Sequence, residues 1–255
     1  MENRYANIVI TGASSGLGRA LSLWFSARGS RVYAAARRLD MLESLQKEAS
    51  AGKGKVVPVQ LDVTQPEVMV EKLRALDDAT EGGIDLVIAN AGVGGTFDPT
   101  STEWPPIGRL LQVNVVGATA TLMALASRMA QRRRGHLVGM SSVAAWIVFP
   151  RFGFYSATKR YLEIVCDSLR MDLASSGIRV TSIHPGFVKS EMTAKRKSPM
   201  PFLLETADAA DRMGRAIVRG DTKFAFPWQM VGLTRLGNLL PRALVNRSAS
   251  RGGAD

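Results

Sequence analysis

Short apolar runs and longer amphipathic segments alternate through the first two thirds of the chain. Residues 6–10, 31–36, 55–61, 84–89, 136–141 and 178–184 are runs of five to seven residues rich in Val, Ile, Leu and Ala, the length and composition of buried strands. Leu17 to Ala27 and Leu39 to Ala49 carry their apolar residues at helical spacing, and further amphipathic segments separate the later runs. Strands divided by helices of ten or more residues are joined by crossovers, which makes them parallel and puts helices on both faces of the sheet. The pattern predicts a doubly wound α/β domain.

Residues 113–130 are apolar nearly all round, whereas a helix with one wet face carries a polar stripe. This segment is expected to be buried, in part by a second subunit. Beyond Lys195 the pattern loosens around Pro199 and Pro201, then resumes with a helix at 207–219 and a strand at 223–226. From Trp228 through Leu233, Leu236, Leu239 and Leu240 to Pro241, apolar residues recur at near-helical spacing with Arg235 and Arg242 among them. Core packing, a lid over a site and a membrane-surface helix all fit that pattern. Residues 248–255 read as a disordered tail.

At 255 residues the chain suits one large domain, and no linker divides it. Its start enters a strand-like run at once, without room for a signal peptide, and no uninterrupted apolar stretch matches a membrane span; a cytoplasmic protein is expected. Cys166 is the only cysteine, so neither an intrachain disulfide nor a thiolate metal cluster can form. His136 and His184, the only histidines, have no His or Cys at ligand spacing, and no metal site is expected. The formal charge of +11 is dispersed apart from Arg132-Arg133-Arg134 and Lys195-Arg196-Lys197, without the basic stripe and stacking aromatics of a nucleic-acid surface. It either solvates the surface or meets an anionic membrane or an acidic partner.

Candidate chemistry begins at Thr11-Gly12-Ala13-Ser14-Ser15-Gly16-Leu17-Gly18, between the first strand and the first helix, where a dinucleotide turn belongs. Without Cβ atoms the backbone can turn tightly and approach a pyrophosphate lying at the positive end of the helix. The spacing is G-x-x-x-G-x-G, not the commoner G-x-G-x-x-G. The second strand ends at Ala36-Arg37-Arg38, with no carboxylate for ribose hydroxyls; two guanidiniums there suit the 2′-phosphate of NADP. Further on, Tyr155 and Lys159 stand four apart in a helical segment and so project from one face, where the ammonium can stabilise a phenolate. An unperturbed Tyr titrates near ~10, and each unit of depression corresponds to ~1.36 kcal/mol. Reaching neutrality, where a general acid/base works best, takes roughly 3–4 kcal/mol from Lys159 and a cofactor's positive charge.

From Asn7 to about Ser190 the chain resembles the short-chain dehydrogenase/reductase family. Thr11 to Gly18 resembles the family's cofactor turn, Asp62-Val63 its adenine-contacting pair, and Asn90-Ala91-Gly92 the motif closing the fourth strand. Asn114, Ser142, Tyr155 and Lys159 resemble its catalytic tetrad, and Pro185-Gly186, followed by Val188 and Ser190, its loop under the nicotinamide. The resemblance implies a single Rossmann-type domain over residues 1–255 with a mostly parallel seven-stranded sheet. Residues 1–190 would bind the dinucleotide and carry the chemistry; residues 191–247 would supply a substrate lid, the last strand and a C-terminal helix.

It also implies roles. Tyr155 would exchange a proton with the substrate oxygen, and Ser142 would hold that oxygen as charge develops. Lys159 would bond the nicotinamide ribose and lower the Tyr155 pKa, while Asn114 would anchor a proton-relaying water. Ser141 rivals Ser142, but neighbours near a strand end face opposite ways, and thirteen positions before the tyrosine is the family's interval. Two features depart from the family: Ser190 stands where many members have Thr, and the region after Met192 matches no substrate subgroup.

Residues 143–154 are almost wholly apolar, with Trp146, Phe149, Phe152 and Phe154 among them. Such a loop would wall the substrate pocket, with Trp146, Phe149 and Phe152 at the substrate. With Phe202, Leu203 and Leu204 it favours an apolar ketone or alcohol over a sugar, whose buried hydroxyls would need partners. The function expected is an NADP-dependent carbonyl reductase or alcohol dehydrogenase for a hydrophobic small molecule. The alternatives are a reductase of 3-oxoacyl groups on an acidic carrier protein or coenzyme A, docking on the basic surface, and a dinucleotide sensor without catalysis, against which the intact tetrad argues. The apolar helix from Val113 and the Tyr155 helix are surfaces through which relatives pair, so a homodimer or homotetramer is expected.

Overall fold

The computed structural model describes residues 4–101, 103–148, 150–194 and 198–239. Its strands are β1 (Asn7–Thr11), β2 (Arg31–Ala36), β3 (Lys55–Gln60), β4 (Leu86–Ala89), β5 (His136–Met140), β6 (Arg179–Pro185) and β7 (Lys223–Phe226). They form one sheet in the order β3-β2-β1-β4-β5-β6-β7, and every pairing in it is parallel. The helices are α1 (Gly16–Ser26), α2 (Leu39–Glu48), α3 (Pro66–Asp78), α4 (Trp104–Leu111), α5 (Ala118–Gln131), α6 (Gly153–Asp172), α7 (Glu191–Ala194), α8 (Thr206–Arg219) and α9 (Trp228–Leu239).

Strand alternation sorts the core into two layers. Ile8 and Ile10 of β1, Val32 and Ala34 of β2 and Leu86 and Ile88 of β4 pack with Leu21 and Phe25 of α1 and Met213 and Ile217 of α8. The intervening Val9, Tyr33 and Val87 face the other way, onto Leu73 of α3, Leu122 and Leu125 of α5 and Leu162 of α6. Because side chains alternate at period two, each strand feeds both layers, and the sheet is covered on both faces. The strand order reverses between β1 and β4, which opens a crevice beyond their carboxyl ends, the place where open α/β sheets bind ligands.

Apart from the helix expected at 113–130, observed element ends lie within two residues of the expected ones. The strand expected from Ile84 starts at Leu86, because Asp85 turns its carboxylate onto the Ala6 and Asn7 N–H groups at 2.9 and 3.0 Å. The expected helix at 113–130 is part of a longer run from Trp104 to Gln131, with a wide π-type turn at Gln112–Gly117 in its middle. By length and composition this run alone, among the described residues, could cross a membrane, yet 56% of its most apolar window is buried inside the fold. Packing against the sheet accounts for its apolar character. The expected tail at 248–255 and the basic run at 195–197 lie outside the described residues.

Candidate active site

The crevice is floored by bare backbone. Gly12 and Gly16 have φ of +69° and +53°, a region that side chains disfavour. A Cβ on Gly12 would stand 2.7 Å from Ala91 Cα, and one on Gly18 would stand 2.4 Å from both Asn90 Nδ2 and the Gly12 carbonyl oxygen. The turn is tied to the end of β4 by Asn90, whose Nδ2 donates to the Thr11 and Gly12 carbonyls at 2.9 and 3.2 Å. Ser15 caps α1 in extended conformation without a side-chain bond to the helix, and Leu17 packs on the core behind.

At the edge of this cradle the Arg38 guanidinium donates to Ser14 Oγ at 3.1 Å and Ser15 Oγ at 3.0 Å. Arg37 is exposed and, with Gln60, Asp62 and Lys72, lines an open cavity of about 280 Å³. Asp62 Oδ1 accepts from the N–H and hydroxyl of Thr64, which fixes the turn into α3. Val63 is buried against Gly117, where a Cβ would come within 2.7 Å of the Val63 carbonyl oxygen. Across the crevice Gly186 donates to the Phe226 carbonyl at 2.7 Å, Val188 bridges to Leu204, and Ser190 lies over Gly16, 3.4 Å from its Cβ position. A cradle that any side chain would fill and a helix end without a side-chain cap together fit the pyrophosphate of a dinucleotide.

Lys159, Tyr155 and Asn114 come together beside that cradle. Lys159 is the one buried lysine or arginine among the described residues; its Nζ donates to the Met140 carbonyl at 2.9 Å and lies 5.8 Å from the Tyr155 ring centre. Burial lowers its pKa to about 8, since a low-dielectric site disfavours the charged form. A Cβ on Gly92 would stand 3.3 Å from Lys159 Nζ and 3.5 Å from Asn114 Oδ1, so the end of β4 separates the two side chains by little more than backbone. Asn114 accepts from the Val93 N–H at 2.8 Å and donates to the Val93 carbonyl and to Thr158 Oγ1. It sits inside the π-type turn, a distortion found mostly at functional sites.

Ser142 and its rival Ser141 part as the strand geometry requires. Ser141 Oγ is buried and donates to the Lys159 carbonyl at 2.8 Å, holding α6 to β5. Ser142 Oγ donates to the Pro185 carbonyl at 3.3 Å and accepts from the Ala144 N–H. Tyr155, half-buried near the start of α6, meets the Phe152 ring edge-on at 6.4 Å.

A buried network behind Ser142 was not legible in the sequence. The Glu163 carboxylate is 1% exposed and accepts from Trp146 Nε1 at 3.0 and 2.9 Å, from Lys223 at 2.6 Å and from Arg160 at 2.6 Å. Burial pushes its pKa up, but the bonds from Lys223, Trp146 and Arg160 outweigh it and hold the group below the usual carboxylate range. The Trp146 ring stacks on His184 at 4.6 Å, and His184 Nδ1 faces the Ser142 carbonyl at 3.4 Å. Burial lowers His184 to about 4, so it is neutral at pH 7. Trp146, expected in the pocket wall, thus commits its N–H and one ring face to the fold. Phe149 lies outside the described residues. Among the described residues no cluster of His, Cys, Asp or Glu could hold a metal ion.

Comparison with known proteins agrees with this geometry. Residues 6–201 match the short chain dehydrogenase family model. An uncharacterized oxidoreductase from Myxococcus xanthus is 50% identical over 250 residues, 98% of either chain. Among solved structures, a short chain dehydrogenase/reductase from Burkholderia phymatum in complex with NAD superimposes with a TM-score of 0.83 at 22% identity, over 92% of this chain and 94% of that one. A short-chain dehydrogenase from Sphingobium yanoikuyae in complex with NADPH gives 0.80 at 24%, over 92% and 95%; at such identities the likeness speaks for the fold. The chain therefore belongs to the short-chain dehydrogenase/reductase family of oxidoreductases.

Proposed function

We propose that this protein is an NADP-dependent reductase or dehydrogenase that interconverts the carbonyl and alcohol of a hydrophobic small molecule. The observation that carries the assignment is the burial of Lys159 beside Tyr155. Taking an ammonium out of water is costly, and a nearby phenol that must ionise gives that charge a use. The bound nicotinamide supplies or accepts the hydride. Tyr155 gives the proton to the carbonyl oxygen or takes it from the alcohol, and Ser142 donates a hydrogen bond to that oxygen as charge builds. Lys159 favours the phenolate and bonds the ribose. Asn114, in the π-type turn, anchors the water that returns the proton.

Gly12, Ser14, Ser15, Gly16, Leu17 and Gly18 would hold the cofactor, with Asp62 and Val63 contacting the adenine, Asn90, Ala91 and Gly92 supporting the turn, and Pro185, Gly186, Val188 and Ser190 meeting the nicotinamide. Arg37 and Arg38 take the 2′-phosphate, an assignment supported by the Arg38 contacts to Ser14 and Ser15 at the cradle. Phe152, against Tyr155, and Trp146 face the substrate, with the exposed Phe202 and Leu203 in the lid that residues 191–247 supply along with the last strand and the C-terminal helix. Residues 1–190 form the cofactor and catalytic part. Exposed Val116, Met123, Tyr161 and Ile164 give the long helices an apolar face that suits a homodimer or homotetramer, and a cytoplasmic location goes with this assignment.

The test is a fluorescence titration with NADPH and NADH, repeated with Arg37 and Arg38 both changed to Ala. The assignment expects a clear NADPH preference that the double change erases. Equal or NADH-favouring binding by the unaltered chain would mean that the end of β2 does not read a phosphate.

A further inference from the structure

The Arg38 guanidinium already holds an anion. Nη2 donates to Glu191 Oε2 at 2.9 Å and Nη1 to Glu191 Oε1 at 3.3 Å, a two-pronged pairing of the kind a phosphate also receives. The same Nη2 contacts Ser14 and Ser15, so the carboxylate stands where the β2 guanidinium meets the cradle. Glu191 comes from the opposite side of the crevice, at the start of α7. Its neighbours bridge the crevice with it: Ser190 lies over Gly16, and Met192 Sδ is 3.2 Å from the Gly94 Cβ position. Arg38 and then Ser15 hold the Glu191 pKa below the usual carboxylate range, which keeps it charged at neutral pH.

We propose that Glu191 moderates cofactor selectivity by competing with the 2′-phosphate of NADP(H) for Arg38. The inference rests on the assignment of Arg38 to that phosphate. Two oxyanions cannot share one guanidinium fork without like-charge repulsion, so the phosphate must displace the carboxylate or tolerate it. NAD(H) presents ribose hydroxyls instead and leaves the pair intact. The ion pair is about half exposed, with side chains 46% and 57% accessible, and such pairs contribute a factor of about five or less. Glu191 therefore trims a preference that Arg38 creates, by an amount small enough for the phosphate to overcome.

The experiment is a binding titration of the full chain with NADPH, NADH, 2′-AMP and 5′-AMP, comparing the unaltered protein with Glu191→Gln, Arg38→Ala and the double variant. Glu191→Gln should tighten NADPH and 2′-AMP by more than about two-fold and up to about five-fold while NADH and 5′-AMP stay within about two-fold. In the Arg38→Ala background the gain should fall below about two-fold. Unchanged or weaker NADPH binding by Glu191→Gln, or an equal gain for NADH, overturns the competition. If the unaltered chain prefers NADPH and Arg38→Ala erases that preference, such a result overturns the competition alone. If the unaltered chain binds NADH as tightly as NADPH and Arg38→Ala changes neither, the phosphate assignment falls, and the competition with it.

Discussion

Lys159 and Arg38 are held in opposite ways. Lys159 sits in the interior, fixed by the Met140 carbonyl and hemmed by Gly92 and Asn114, whereas Arg38 lies on the rim with its guanidinium shared among Ser14, Ser15 and Glu191. The interior is built from backbone contacts that cannot be exchanged without moving a strand. The rim is built from solvent-exposed pairs that a ligand can replace. On the proposed assignment, chemistry belongs to the first region and selectivity to the second, so changes to the interior side chains that carry the chemistry should cost orders of magnitude in turnover and changes at the rim only a few-fold in binding.

The largest effect is expected from Tyr155→Phe, which keeps the ring and its edge contact with Phe152 but removes the proton. Turnover should fall by roughly 10²–10⁴-fold, the usual contribution of a positioned acid/base, while NADPH titration stays within about two-fold. Ser142→Ala comes next, at roughly 10²-fold or more in kcat, because it deletes one donor to the developing charge. The same change at Ser141 should instead lower stability by about 1 kcal/mol, since its hydroxyl ties α6 to β5; kcat for the two variants separates the roles.

Gly18→Ala tests the cradle. Its Cβ would fall 2.4 Å from the Gly12 carbonyl oxygen, so overpacking of roughly 1–3 kcal/mol should appear in urea denaturation, together with weaker binding of both nucleotides.

The interior should also show a pH dependence of stability. Burial lowers Lys159 to about 8 in the folded chain, from 10.5. Below pH 8 both states carry the proton and the folded state bears the whole cost, roughly 3 kcal/mol. As pH rises through 8 the folded chain loses its proton first, and the cost disappears above about 10.5. Lys159→Met should therefore gain most in Tm over the unaltered protein at pH 7, with the lead narrowing between pH 8 and 10.5. A lead that is constant with pH would mean that the ammonium is solvated.

Strands and helices were legible because burial on both faces writes itself as short β-rich runs, and the glycine turn because it is a local run between β1 and α1; Asn114, Ser142, Tyr155 and Lys159 were singled out by the family resemblance. Contacts across the chain were not. Inside the π-type turn Asn114 takes both backbone groups of Val93, which nothing in the apolar run around Asn114 announces. Glu163 reads as one charge on an amphipathic helix until Lys223, sixty positions later, and Trp146 are folded onto it. Glu191 meets Arg38 across 153 positions, and only the fold brings α7 over the crevice. Trp146 shows the converse: its apolar neighbours suggested a pocket wall, whereas its N–H found a buried carboxylate.

The most direct test of the central claim uses NADPH carrying deuterium on the transferable position of the nicotinamide, incubated with a panel of bulky apolar ketones. The account predicts an alcohol labelled at the carbinol carbon with the unaltered protein and none with Tyr155→Phe. Labelled alcohol from the Tyr155→Phe variant at an undiminished rate would contradict it.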